Sequence, residues 1–104
     1  MLKEVLHRHG NVLVRRLVLE PGEAMRWHVD LYHRITVVVR GDGLAIEFED
    51  TGELDRVQIQ PGQVDHDEPT DRRHRGVNVG SMSYEEVVVF FLDRPEADPQ
   101  PLIS

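Results

Sequence analysis

Residues 22 to 41 read GEAMRWHVDLYHRITVVVRG, a glycine-bounded stretch holding two of the chain's six histidines. Its second half, Ile35-Thr36-Val37-Val38-Val39, is β-branched throughout. Such residues favour strands, where the branch packs on a pleated surface. Its first half holds His28-Val29-Asp30, and side chains two apart on a strand point to one face. An imidazole and a carboxylate therefore share a face just before the turn Leu31-Tyr32-His33, and Arg34 opens the next strand. That face can hold a metal, hold a small molecule or only fold, and the rest of the chain narrows the choice.

Outward from this stretch, turn signals recur about every ten residues, at Pro21-Gly22, Gly41-Asp42-Gly43, Thr51-Gly52, Pro61-Gly62, Pro69 and Gly80-Ser81. The spacing predicts an all-β sandwich or barrel. Leu44, Ile46 and Phe48 alternate with Ala45, Glu47 and Glu49, and Val57 and Ile59 with Gln58 and Gln60, so each run has one dry face. Two runs do not alternate. Ile35 to Val39 and Val87 to Leu92 are apolar on both faces, and the outer faces need cover, which a second copy of the chain supplies most simply. A homodimer is expected. Leu2, Val5, Leu6 and His9 are too short a pattern to separate a helical turn from a first strand. Residues 1–93 are expected to form one domain, and residues 94–104, RPEADPQPLIS with three prolines, an extended tail.

At 104 residues the chain has material for a single core. Its hydrophobic fraction of 39% and charged fraction of 30% are ordinary for a soluble protein, and no apolar run approaches a membrane span. It has no cysteine and its first ten residues lack a signal-peptide core, so a cytoplasmic protein without disulfides is expected. A net charge of −7 repels a phosphate backbone and argues against nucleic acid as a partner.

The spacing of particular residues resembles the cupin superfamily. Its first motif, glycine, five residues, H-x-H, three residues, glutamate, six residues, glycine, is similar to Gly22, His28-Val29-Asp30, Arg34 and Gly41. Its second, glycine, several residues, P-x-G, two residues, histidine, three residues, asparagine, is similar to Gly62, Pro69-Thr70-Asp71, His74 and Asn78. Together the motifs span residues 22 to 78, and the resemblance implies a small cupin, a double-stranded β-helix or jelly-roll barrel. Three positions depart from the pattern: Asp30 replaces the second histidine, Arg34 the glutamate and Asp71 a glycine.

The resemblance implies a divalent metal inside the barrel, here held by His28, Asp30 and His74, a two-histidine, one-carboxylate set that suits iron and tolerates manganese, nickel or zinc. Arg34 opposes it. A guanidinium about 5 Å from a doubly charged ion, at an effective dielectric near 20, is repelled by roughly 6–7 kcal/mol. A metal then requires that Arg34 swing away or that a carboxylate such as Asp30, or a bound anion, sit between them. The alternative is a metal-free pocket in which Asp30 and Arg34 pair and Arg34 clamps a small anion or sugar derivative through its planar fork of donors. His28 or His74 would then be the candidate catalytic base.

Other residues read more simply. His33 is expected to be exposed in its turn, and His66, in Asp65-His66-Asp67-Glu68, on a solvated loop or edge. Trp27 has the opposite parity to His28 and is expected on the outer face or in a dimer interface. Asn78 is expected to tie down backbone, and Gly22, Gly41 and Gly62 to supply turns. Three functions stay open: a metal-dependent enzyme of dioxygenase or isomerase type, a metal-free binding module, and a non-catalytic structural dimer.

Overall fold

A computed structural model describes residues 1–92; the expected tail, 94–104, and the expected domain end at residue 93 lie outside the described residues. Nine strands follow in order: β1 (Leu2–His9), β2 (Val12–Leu19), β3 (His28–Asp30), β4 (Arg34–Arg40), β5 (Leu44–Phe48), β6 (Leu54–Val57), β7 (Val64–Asp67), β8 (Thr70–Asn78) and β9 (Tyr84–Phe91). They form two antiparallel sheets, five strands in the order β1-β2-β9-β4-β7 and four in the order β3-β8-β5-β6. Sequence neighbours β3 and β4 lie in different sheets, so the chain crosses between layers at the turn Leu31-Tyr32-His33.

The ambiguous first segment is a strand. Leu2 to His9 pairs with β2 along its length, with a bulge between Val5 and His7, and runs along the sheet edge exposed throughout. Tertiary pairing decides what a short local pattern could not. The alternation at Val57 and Ile59 does not belong to one strand: β6 ends at Val57, and Ile59 packs against the core from the segment beyond it.

The apolar core is divided. Leu17, Leu19, Val38, Leu44 and Tyr84 form one buried cluster, with Met25 and Ile59 against it. Tyr32, Val88, Phe90 and Leu92 form a second, with Leu13 against it. Asn78 is 1% exposed and donates from Nδ2 to the carbonyls of Leu19 and Met82, while its Oδ1 accepts from the Gly80 amide. It ties the end of β8 to the turn before β9, as its position implied. Gly41 has φ +142°, and a Cβ there would lie 2.9 Å from Cδ1 of Tyr84. A side chain at that turn would be strained and would also displace the core ring.

On β9 burial alternates, with Val88 and Phe90 buried and Val87, Val89 and Phe91 half-buried. The register sets Val14 and Ile35 either side of Val89, and Val37 between Val87 and Val64. The outer face of the five-stranded sheet thus carries a contiguous apolar stripe, and Val64 at its edge is 61% exposed. No helix of the described residues is long and apolar enough to cross a membrane.

Candidate metal and ligand site in the barrel cavity

Between the sheets lies an open cavity of about 890 Å³, within the usual range for small-molecule sites. His28 on β3 sits opposite His74 on β8, and the next paired residue, Asp30, meets Thr70. Two residues on β3 therefore span four on β8. The irregularity covers Asp71-Arg72-Arg73, and so includes the residue that departs from the glycine of the second motif, and it leaves Asp30 facing the two imidazoles.

The three predicted ligands come together. Their donor atoms lie within 4.8 Å of one another, with Asp30 and His74 buried and His28 half-buried. Asp30 Oδ2 is 2.9 Å from His74 Nε2, and Asp30 Oδ1 is 3.7 Å from His28 Nε2. The two rings are tilted by 58° with centroids 4.7 Å apart. Each ring is also fixed from behind. His28 Nδ1 lies 2.6 Å from the Arg26 carbonyl and His74 Nδ1 2.7 Å from the Arg72 carbonyl. A carbonyl oxygen only accepts, so each Nδ1 carries a proton and each Nε2 is turned toward Asp30, where it meets the carboxylate as a donor when the ring is protonated and is free to ligate when the ring is neutral. Metal-binding histidines use this arrangement, a backbone acceptor on one nitrogen and the ion on the other.

Arg34 joins the cluster. Its Nη2 lies 3.1 Å from Asp30 Oδ2 and 3.8 Å from Asp67 Oδ2. Although close to two nitrogens, Asp30 Oδ2 has no aligned hydrogen bond among the described residues, and the buried Arg34 Nη1 has no partner either. The contacts are ionic in distance without being hydrogen bonds in direction.

The charges perturb one another in opposite directions. The Asp30 carboxylate raises the pKa of His74 above its ordinary value, against burial. Burial lowers that of His28, helped by its cationic neighbours His74 and Arg15. Burial alone would raise the Asp30 carboxyl, but His74, Arg34 and His28 together hold it below the usual range.

The donor set fits a divalent ion in kind: two imidazole Nε2 atoms, which ligate once an ion displaces their protons, and an ionised carboxylate, with open positions toward the cavity. Its spacings are uneven, 2.9 Å from Asp30 Oδ2 to His74 Nε2 and 3.7 Å from Asp30 Oδ1 to His28 Nε2, where metal–ligand bonds of about 2.1 Å separate tetrahedral donors by about 3.4 Å. Two carboxylates against the Arg34 guanidinium, Asp30 and Asp67, supply the compensation that a metal beside it requires. His28, Asp30, His74 and Arg34 thus form one group.

Sequence reasoning missed a second polar group in the cavity wall. Arg15 Nη2 bonds Glu86 Oε2 at 2.9 Å, and Tyr84 OH donates to Glu86 Oε1 at 2.6 Å. Burial and the Glu86 charge push the Tyr84 phenol far above its ordinary pKa, so it stays a donor. A signal was available: Arg15-Arg16 and Glu85-Glu86 are adjacent pairs, and strand parity sends one of each inward. His66 is exposed as expected, but His33 is half-buried, because its ring stacks on His66 with centroids 5.3 Å apart. Trp27 lies under the Arg75 guanidinium at 4.2 Å, and Arg75 in turn pairs with Glu47.

This topology has solved counterparts. A cupin domain from Bordetella pertussis Tohama I superposes with a TM-score of 0.77 over 86% of this chain and 91% of that one, at 17% identity. An RmlC-like cupin family protein with a double-stranded β-helix fold from Methanocaldococcus jannaschii gives a TM-score of 0.67 over 86% and 78%, at 20% identity. A conserved protein with a double-stranded β-helix domain from Klebsiella pneumoniae gives 0.66 over 86% and 75%, at 19% identity. No protein-family model matches the chain, and no curated protein does. The protein is an all-β barrel of the cupin fold with a His28, Asp30 and His74 cluster facing its cavity. At these identities the likeness carries the fold and no activity.

Proposed function

We propose that the barrel binds a small polar molecule in its cavity, beside a divalent metal held by His28, Asp30 and His74. The observation that carries this reading is the pair of Nδ1 contacts to the Arg26 and Arg72 carbonyls, which commit both Nε2 atoms to the same spot. A bound ion would act as a Lewis acid on a ligand oxygen, the chemistry an isomerase or dioxygenase type of enzyme needs. The chain's own residues do the rest: Asp30 separates the imidazoles from Arg34, and Arg34 offers its unpartnered Nη1 as a donor to the ligand. Outside the barrel, the stripe of Val14, Val37, Val64, Val87 and Val89 supports pairing with a second copy.

Elemental analysis of protein purified without chelator tests the metal, comparing the natural chain with His74→Ala and Arg34→Glu. Near-stoichiometric iron, manganese, nickel or zinc is expected in the natural protein and in Arg34→Glu, with loss from a folded His74→Ala. A natural protein free of metal, with uptake only by Arg34→Glu, overturns the metal reading. The second reading then stands, a metal-free anion site, and the 3.1 Å contact between Arg34 and Asp30 is what favours it.

A further inference from the structure

Beyond the His28 cluster the same cavity is sided. Lys3 and Arg15, at the β1-β2 edge of the five-stranded sheet, line it with Arg26, while Asp65 and Asp67 line it from β7 at the other edge, beside Arg34 and with Glu68. The acidic residues are in part occupied: Asp65 accepts from Gln63, and Asp67 accepts from Thr36 and lies near Arg34. The cations are less so. Among the described residues neither Lys3 nor Arg26 has a carboxylate within ion-pair distance, as their absence from the ion pairs along β1 and β3 shows. Arg15 spends Nη2 on Glu86, but its buried Nε has no partner. Met25, Leu44, Ile46, Val57 and Ile59 line the cavity with apolar surface.

A buried donor without a partner is costly, and neighbouring cations repel one another even where one of them, Arg15, has Glu86 as a partner. Lys3, on the exposed edge strand, registers this: partial burial of its amine first, then the charges of Arg15 and Arg26, lowers its pKa below the ordinary value. An anion between these groups would relieve all three at once, whereas a neutral ligand would not.

We infer that the ligand is a small organic acid, its carboxylate held by Lys3, Arg15 and Arg26 and its apolar body against Met25, Leu44 and Ile46. Inorganic phosphate shares the anionic chemistry but leaves the apolar lining unused. The acidic residues Asp65, Asp67 and Glu68 disfavour the carboxylate on their side, so the charge distribution also sets the ligand's direction. The inference rests on the cavity being a ligand site; it does not depend on the metal.

Calorimetric titration of the protein as purified, with benzoate, the neutral isostere benzamide and inorganic phosphate as probes, tests it. Metal content is measured on the same samples. Benzoate is expected to bind one per chain, with benzamide and phosphate each at least about tenfold weaker, a factor that corresponds to about 1.4 kcal/mol. The surface double variant Lys3→Ala/Arg26→Ala keeps both backbone carbonyls and is expected to weaken benzoate about tenfold while retaining its metal. Benzamide or phosphate binding as tightly as benzoate overturns the inference. So does a double variant as tight as the natural protein, or benzoate that fails to bind at millimolar concentration. If benzoate fails while metal is present, this inference falls and the metal reading stands; benzoate binding to metal-free protein gives the reverse.

Discussion

The two faces of the five-stranded sheet each depart in part from the usual pattern. The inner face carries the buried Leu17, Leu19, Val38, Val88 and Phe90, as in most sandwiches, but also sends Arg15, Arg34 and Glu86 into the cavity, with Asp65 and Asp67 on the edge strand β7. The outer face, which water normally wets, carries Val14, Val37, Val64, Val87 and Val89. Charges inside a barrel are expensive unless paired, and an apolar stripe outside is uncovered in a single chain. The polar part of the inside suits the proposed polar ligand, and the apolar part of the outside suits the proposed cover by a second copy. The adjacent glutamates Glu85 and Glu86 put the contrast within one peptide bond. Glu86 points inward to Arg15 and Tyr84, and Glu85 points outward between Arg16 and Arg40.

The largest effect is expected from Glu86→Ala. The Arg15 and Glu86 side chains are 16% and 8% exposed, and removing one member of a buried pair leaves the other charge uncompensated, at a cost of about 3–5 kcal/mol. The double variant Arg15→Met/Glu86→Leu removes both charges and is expected to recover most of that loss, because well-packed apolar replacements of buried pairs are often neutral. Urea midpoints at constant slope read both values. A Glu86→Ala loss under about 1 kcal/mol would mean that water reaches the pair and that the inner face is not a protected interior.

Val89→Asp tests the outer face. It places a charge at the centre of the stripe, between Val14 and Ile35. The proposed dimer is expected to form in the natural chain and to dissociate in this variant at micromolar concentration, a change of at least about tenfold in the association constant, with the monomer still folded. Light scattering coupled to gel filtration measures the mass. A natural chain that runs as a monomer would remove the need for cover, and the stripe would then be unexplained by self-association.

How much of this was legible follows from how local each signal is. The cupin barrel was, because turns every ten residues and two motifs in order are local patterns, and the three-residue β3 found its partner through the same motif. His28, Asp30 and His74 were legible for that reason, although the irregular pairing against Thr70 was not. The contact of Arg34 with Asp30 follows from their four-residue separation across the turn between sheets. Arg15, Glu86 and Tyr84 were missed because VLVRRLVL and YEEVVVFF read as strands with a charged interruption. Only the β2 to β9 register shows that the charge of each pair facing the core meets its opposite. Lys3 and Arg26 are likewise far apart in sequence and meet only around the cavity.

The smallest effect is expected one residue from the largest. Glu85→Gln removes the carboxylate between Arg16 and Arg40, whose side chains are 29% and 46% exposed beside a Glu85 side chain that is 14% exposed. Pairs whose cation stands in solvent contribute less than pairs buried on both sides, and less again in high salt. The hydrogen bond from Arg16, followed by that from Arg40, holds the Glu85 carboxyl below its usual range. A carboxyl that ionises more readily in the folded state contributes stability above its unfolded value and loses it as pH falls through its folded value. The gap between natural protein and Glu85→Gln should therefore be small at neutral pH and close in acid, below the ordinary carboxylate range, while the Glu86→Ala deficit at neutral pH stays severalfold larger. Equal losses from the two glutamates would place both faces in the same environment, and the contrast between them would fail as an account of this sheet.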